Sequence, residues 1–469
     1  MKRLALFVLV ISIFSCKQSI AQKAFQLREL GHWNNPTLPR NDNYQIWNDL
    51  TGYVDPISKK EYIIMGSTDS IYFFDVSDPT HIRLCDVEDG RSKQMVNRDY
   101  ECYRNYVYCV SDNRNPGSLQ VFDLRYLPDS VHKVYDSDSL SFNTHSIFID
   151  SASKRLYLCI NRLKSGGVAA MDIMSLENPE RPQWIGRLQV PTFGDGSASF
   201  RNVHEVFVRN DTAYCSVEYN GLYIFDLRDL KKQQLLSIIK DYPQNGYNHS
   251  SYVNAAGNLL MFTDEIPGGL DIKLFDIKDI FSPKFVNSFH STDKATAHNA
   301  WFVGQEAFVS YYQDGFYIFD ISNPLEVKTK AWFHSHPWPV ESYEGWKGCW
   351  GVYPLFPSGN IAISDMGEGL FLLKRDSSIT GLNDNNIPKD LRIWPNPSKN
   401  GRFNLDIPNE AGQLESIEIR DFQGKQLLQK RISEATFDLD CSFLNSGFYL
   451  IELKTERHRF CKKIQLIHE

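Results

Sequence analysis

Residues 71–79 read IYFFDVSDP, and the chain returns to that phrase five times: LQVFDLRYLP (119–128), VAAMDIMSLENP (168–179), LYIFDLRDL (222–230), IKLFDIKDIFSP (272–283) and FYIFDISNP (316–324). The shared aspartate falls at Asp75, Asp123, Asp172, Asp226, Asp276 and Asp320, at intervals of 48, 49, 54, 50 and 44 residues. A seventh copy, GLFLLKR (369–375), follows 54 residues later with Lys374 at the aspartate position. Such self-similarity predicts one repeat architecture in place of the three average domains that 469 residues otherwise allow.

Each unit reads as strands. In the fourth, VHEVFVRN (203–210), TAYCSV (212–217), GLYIFDL (221–227) and KQQLLSII (232–239) are divided by turn chemistry such as Arg209-Asn210-Asp211 and Tyr219-Asn220-Gly221. Four strands at this period predict a propeller blade, whose radial packing leaves only short edges, and a helical period of 3.6 is missing. The expected fold is therefore all-β, a seven-bladed β-propeller of four-stranded blades. The last unit supplies GCWGVYP (348–354), NIAIS (360–364) and GLFLLKR but no fourth strand. FQLRELGHW (25–33) resembles the fourth strands PQWIGRL (182–188) and KTKAWF (328–333), so the N-terminal strand is expected to complete the last blade. The 30 Phe, 23 Tyr and 9 Trp, 13% of the chain, sit mostly in these phrases and are expected to pack sheet on sheet.

Lys and Arg total 50 against 57 Asp and Glu, a net charge of −7, which excludes a basic surface for nucleic acid. Lys2 and Arg3 precede the apolar run LALFVLVISIF (4–14) and the small-x-small site Ser19-Ile20-Ala21, the pattern of a secretory signal peptide over residues 1–21. A lipoprotein signal ending at Cys16 is the rival reading, and bulky Phe14 counts against it. No other run approaches the length of a membrane-spanning helix. Eight further cysteines remain: Cys85, Cys102, Cys109, Cys159, Cys215, Cys349, Cys441 and Cys461. Cys109, Cys159 and Cys215 lie in strand-like runs and read as small core residues, whereas Cys441 and Cys461 share the terminal module and are the best candidates for a disulfide.

The phrases EYIIMGSTDSIYFFDVSDP, GSLQVFDL, GLYIFDL, HNAWFVGQEAFVSYYQDGFYIFDIS and WGVYPLFPSGNIAISDMGEGLFLL resemble the bacterial choice-of-anchor B proteins, built from LVIVD repeats. The resemblance covers roughly residues 30–376 and implies a β-propeller over residues 22–376 without implying an activity. SSITGLNDNNIPKD (377–390) reads as a linker. The short strands of residues 391–469 predict a small immunoglobulin-like β-sandwich. Trp394-Pro395-Asn396-Pro397, Asp421 with Gly424-Lys425, Gly447-Phe448-Tyr449 and Lys462-Lys463 resemble, in order, the type IX secretion sorting domain. That resemblance implies recognition by the type IX secretion machinery at the outer membrane, followed by release or peripheral attachment at the cell surface.

Aligning the units places one polar or aromatic residue near the start of each innermost strand: Asp49, Asp99, His145, His204, His249, His298 and Trp350. Innermost strands line a propeller's channel, so these side chains are expected to ring one mouth. His145, His204, His249 and His298, with two carboxylates, are a candidate set for a divalent metal, and imidazole beside carboxylate also suits acid–base work. The plainer alternative is that a repeat-derived histidine hydrogen-bonds the neighbouring blade and marks only the repeat. No G-x-S-x-G, Walker loop or dinucleotide fingerprint is present. His204-Glu205 begins like a zincin helix without its second histidine, and DNRNPG (112–117) lacks calcium-loop spacing. HSHPWPVESYEGWKGCW (334–350) either covers the mouth or packs on the ring.

The expected function is that of a secreted or surface-attached, non-catalytic binding or scaffold module. Its extracellular ligand is a protein or glycan, with no catalytic residue assigned and no cofactor beyond the candidate channel metal. The alternative is a metal-assisted hydrolase using the His/Asp ring.

Overall fold

The computed structural model describes residues 24–376 apart from 44, 113–115, 338, 339 and 341, and residues 392–467 apart from 407–412, 421–425, 432–436 and 456–458. The chain divides at Arg375 into two compact units. The expected leader (1–21) and linker (377–390) lie outside the described residues, as do Gly424 and Lys425. No helix among the described residues is long and apolar enough to cross a membrane.

The first unit is a seven-bladed β-propeller. Blade one runs Trp47–Val54, Glu61–Ser67, Ser70–Asp75 and Arg83–Asp89, four antiparallel strands in sequence order. Five further blades repeat that order, beginning with Arg98–Tyr103, Ser146–Asp150, Glu205–Arg209, Asn248–Val253 and Ala297–Val303. These first strands touch one another in succession around the axis, and Cys349–Tyr353 of the seventh blade returns to Trp47–Val54.

The seventh blade is completed from the other end of the chain. Leu27–Trp33 pairs antiparallel with Gly369–Arg375, from Leu27 opposite Arg375 to Trp33 opposite Leu370. The segment 25–33, read above as one strand, is broken at Gln26, whose φ of 59° turns the backbone. Ala24–Phe25 pairs instead with Lys328–Phe333, adding a fifth strand to blade six. Residues beside this join reinforce it. Trp47 Nε1 donates to Asn34 Oδ1 (2.8 Å), and Ser358 of the last blade donates through its N and Oγ to the Glu61 carboxylate of the first (2.8 and 2.6 Å).

Seven apolar clusters fill the ring, one at each seam. At the closing seam Trp47, Met65 and Phe74 of blade one meet Leu370 and Leu372 of blade seven, with Trp33 edge-on to Phe74 at 4.7 Å. Burying both faces of each sheet explains why strands such as Glu61–Ser67 are buried along their whole length. Cys109, Cys159, Cys215 and Cys349 are free, buried thiols within these seams.

The recurring aspartate works as a turn cap. Its carboxylate accepts the amide two residues on at Asp75 (from Ser77, 3.0 Å), Asp123 (Arg125, 3.0 Å), Asp226 (Arg228, 3.0 Å), Asp276 (Lys278, 2.9 Å) and Asp320 (Ser322, 2.9 Å). The third unit departs from the alignment. Its strand continues to Ser175, whose Oγ accepts the Glu177 amide (3.3 Å), so Ser175 is the structural equivalent. Asp172, three residues earlier, is a buried acceptor for Asn161, Trp184 and Arg187.

The second unit packs a three-stranded sheet (Arg392–Trp394, Arg402–Asp406, Phe437–Asp440) and a four-stranded sheet (Gln426–Arg431, Leu414–Arg420, Gly447–Thr455, Arg459–Leu466) around Phe403, Ile417, Ile419, Ile451 and Ile464. Asn396 Oδ1 accepts the Gln465 amide at 2.9 Å, so Pro395-Asn396-Pro397 sits beside the last strand, the strand that also carries Lys462 and Lys463. Cys441 is a free thiol buried in this core, which removes it from the expected pairing; the side chain of Cys461 lies outside the described set.

Candidate functional site

All seven of Asp49, Asp99, His145, His204, His249, His298 and Trp350 line a single cavity of about 690 Å³ at the channel mouth. Each comes from the start of the first strand of its own blade. The four imidazoles form a continuous arc: centroids are 4.1 Å apart for His145 and His204, 4.5 Å for His204 and His249, and 4.4 Å for His249 and His298. Trp350 stands edge-on to His298 at 5.1 Å.

Part of this arrangement is blade-to-blade stitching. His298 Nδ1 meets the Trp350 carbonyl at 2.7 Å, Ser250 Oγ donates to the His298 carbonyl (3.0 Å), and Ser146 Oγ donates to that of His204 (2.5 Å). Asp99 Oδ2 accepts the Ile147 amide of blade three (2.6 Å). His145 Nδ1 lies 2.6 Å from the Asp112 carboxylate. His204 and His249 are at least 95% buried and follow the same pattern, each ring braced by the backbone of the next blade's histidine, His249 and His298 in turn.

The cavity also gathers residues that the repeat alignment did not find. Glu265, one residue past the second strand of blade five, accepts the Tyr312 hydroxyl at 2.9 Å. One ligand atom from each of His204, His249 and Glu265 lies within 4.8 Å of the others. Among the described residues this is the set that meets metal-ligand proximity, so His145 and His298 of the expected four stand outside it. Glu205 approaches His249 Nε2 at 3.9 Å, and Tyr247 donates to Glu218 (3.2 Å). No sequence signal distinguished Glu265, because the position just past the second strand varies around the ring, with Thr68, Asp112, Tyr312 and Met366 in blades one, two, six and seven.

A second ring lies three residues along the same strands. Phe148, Phe207, Tyr252, Trp301 and Tyr353 follow one another at centroid distances of 5.3, 4.4, 5.2 and 6.4 Å. Gly52 occupies the equivalent place in blade one, where any Cβ would strike the Tyr353 ring. Next to this aromatic collar is a smaller cavity of about 100 Å³, lined also by Asp49, Asp99, Glu101 and Glu205.

Burial governs the charges. It drives His298 down to about 3 and holds His204 and His249 well below the ordinary imidazole value, with neighbouring imidazoles adding to the effect. At His145 burial acts in the same direction, but the adjacent Asp112 carboxylate outweighs it and raises the imidazole. Burial lifts Asp99 to about 6 and raises Asp49, Glu101 and Glu205 well above the carboxylate range, each reinforced or opposed by close neighbours. Glu265 is raised by burial against the pull of the Tyr312 hydrogen bond.

The segment 334–350 does both things expected of it. His334 and Ser335 are buried against the ring, and Ser335 Oγ donates to Asp365 (2.7 Å). Gln313 Nε2 donates to the Tyr343 and Gly345 carbonyls (3.3 and 2.6 Å), and this holds Trp346 at the cavity with 49% of its surface exposed. Trp338 lies outside the described residues.

Residues 392–467 match the family of secretion system C-terminal sorting domains, so the chain ends in a type IX secretion sorting domain that points to export. A comparison with curated proteins returns no match. Among solved structures, one similar protein is PorZ of Porphyromonas gingivalis, described as an essential bacterial surface component of the type-IX secretion system. It aligns with a TM-score of 0.46 at 11% identity over 87% of this chain, and this chain spans 58% of that protein's length. The β-propeller domain of Myceliophteria thermophila Cps50 (Swd1) aligns with a TM-score of 0.47 at 10% identity, over 74% of this chain and 98% of that one. The computationally designed Ika8 protein gives 0.43 at 10%, over 73% and 98%.

Proposed function

We propose that this protein is an exported, non-catalytic binding module that takes an extracellular glycan or peptide segment at the mouth of its propeller channel. The observation that carries this reading is the convergence of seven blade-derived side chains and the exposed Trp346 on one cavity of about 690 Å³. That volume lies in the range of ordinary ligand pockets, and an aromatic face at the rim offers a stacking surface for a sugar ring or a peptide side chain. The polar groups inside are fixed by the ring: His298 to the Trp350 carbonyl, Ser146 to that of His204, Tyr312 to Glu265. Rigid, pre-positioned groups suit recognition. The same commitments count against nucleophilic catalysis, because the Ser146 hydroxyl is engaged by backbone and burial pushes the Cys159 thiol far up.

The sorting tail supports delivery to the outer membrane and leaves the propeller as cargo, either released or peripherally attached at the surface. The leader-like residues 1–21 and the likeness of residues 30–376 to choice-of-anchor B proteins fit the same route. A metal-assisted hydrolase is the competing reading, favoured by the proximity of His204, His249 and Glu265.

Binding of the fluorescently labelled chain to glycan and peptide arrays tests the proposal, with Trp346→Ala as the comparison. Selective binding that weakens at least tenfold in Trp346→Ala is expected. Array binding unaffected by that change refutes the channel mouth as the site. Turnover of chromogenic ester or phosphate substrates, lost in His249→Ala, refutes the non-catalytic reading.

A further inference from the structure

We infer that His204, His249 and Glu265 form a binding site for one divalent transition-metal ion of the zinc type, with an open coordination position facing the channel cavity. The inference deepens the reading above, since it names the chemistry at the base of the same mouth.

Three observations carry it. The first is the donor set, two imidazoles and one carboxylate whose ligand atoms all lie within 4.8 Å of one another. A tetrahedral zinc with bonds near 2.1 Å keeps its donors roughly 3.4 Å apart, so small side-chain rotations close the set around an ion. The second is pre-positioning: both histidines are at least 95% buried, their ring centroids lie 4.5 Å apart, and each ring is braced by the backbone of the next blade's histidine. An imidazole fixed through one nitrogen presents the other to a cation. The third is the support around the set. Tyr312 donates to Glu265 at 2.9 Å and fixes the carboxylate, much as outer-sphere partners orient metal ligands elsewhere.

Imidazole and carboxylate together suit zinc, and equally cobalt or nickel, better than calcium, which prefers an all-oxygen shell. Three protein ligands leave a fourth position, and the set lies in the wall of the 690 Å³ cavity. A ligand entering the mouth with a carboxylate or another anionic oxygen can therefore complete the coordination. Tyr312 is a positioning residue in this scheme, acting through Glu265.

The test is titration of the full chain, dialysed first against a chelator, with Co²⁺ followed by visible absorption and with Zn²⁺ followed by competition. One equivalent of Co²⁺ per chain with the intense bands of a four-coordinate site is expected. His204→Gln, His249→Gln and Glu265→Gln each lose more than the roughly 10–100-fold in affinity that an outer-sphere change costs, whereas Tyr312→Phe stays within that range and keeps the stoichiometry of one. Glu326→Gln, an exposed carboxylate that does not line the cavity, leaves the titration unchanged. The glutamine variants preserve polarity and bulk, and their thermal melts show whether the ring is folded. Absence of a Co²⁺ spectrum in the folded wild-type chain overturns the inference, as does a titration that the three ligand variants do not alter. Array binding that persists in chelator with no Co²⁺ spectrum sinks the metal site alone, while one-equivalent Co²⁺ binding with no array ligand sinks the glycan or peptide reading alone.

Discussion

The seam that closes the ring makes a quantitative prediction through Gly31. This residue lies at the bulge in the strand Leu27–Trp33, and a Cβ placed on it falls well inside van der Waals contact with the Pro79 carbonyl oxygen of blade one. Backbone stands on both sides of that contact, so Gly31→Ala forces the first and last blades apart. Overpacking of this kind costs about 1–3 kcal/mol, and with no flexible group to yield the value belongs at the upper end, about 2–3 kcal/mol. Alanine also lowers the entropy of the unfolded chain, which offsets roughly 0.4–1 kcal/mol. The net loss is about 1–2.6 kcal/mol. With an unfolding entropy of about 2.1 cal/mol/K per residue, a ring of this size melts roughly 1.5–3.5 °C lower.

Gly186 is the internal control. It occupies the same place in the fourth strand of blade three, but its Cβ meets the Leu230 side chain, and the nearest atom, Cδ1 at 3.1 Å, is its flexible end. Gly186→Ala should shift the melt by less than about 1 °C in either direction. Differential scanning calorimetry of the full chain is the assay, because it can separate the ring's transition from that of the sorting domain, which a two-state treatment would merge. Equal shifts for the two variants, or an unchanged melt for Gly31→Ala, would refute the account of the closing seam.

Lys273 and Asp264 form an ion pair at 2.7 Å with both side chains fully buried, and Tyr242 donates to the same carboxylate at 3.0 Å. Lys273→Met leaves that carboxylate uncompensated and should cost about 3–5 kcal/mol in urea unfolding, most of it recovered in Lys273→Met/Asp264→Asn; a single variant as stable as wild type counts against the pair. At the seam between blades six and seven, burial of Glu306 is outweighed by hydrogen bonds and charge from Arg375 and Lys330, which hold its carboxyl below the ordinary 4.5. A depressed folded-state value means the stabilisation is complete above about pH 4.5 and is lost as pH falls through the folded value. Glu306→Gln should therefore melt below wild type near neutral pH and converge with it in acid, and a difference in Tm that stays constant with pH contradicts this.

The shared aspartate was visible in the sequence as a repeat marker, and at Asp75, Asp226 and Asp320 it does the same local work, accepting the amide two residues on, because that device is set by residues adjacent in the chain. Asp172 looked identical and was not: the strand runs three residues further, and burial between blades turned the same residue type into an acceptor for Asn161, Trp184 and Arg187. Gln26 was illegible as a break because its positive φ is imposed by the need to pair Ala24–Phe25 with one blade and Leu27–Trp33 with the next. In the cavity, the four histidines were visible through their shared offset within each unit. Glu265 was not, since it joins them only across the mouth.

By itself the sequence determined the number of blades, the positions that face the channel and the sorting tail, because each is written as a repeated or local pattern. Tertiary structure alone decided which of those side chains share a site. Closing the ring brings the starts of seven strands, separated by some 300 residues from Asp49 to Trp350, around one cavity. Within it, burial and a partner's reach set the state of each group, as with Asp112 on His145 and Tyr312 on Glu265. Distances of this kind depend on how far each blade turns about the axis, a property of seven packed seams that no single stretch of chain encodes.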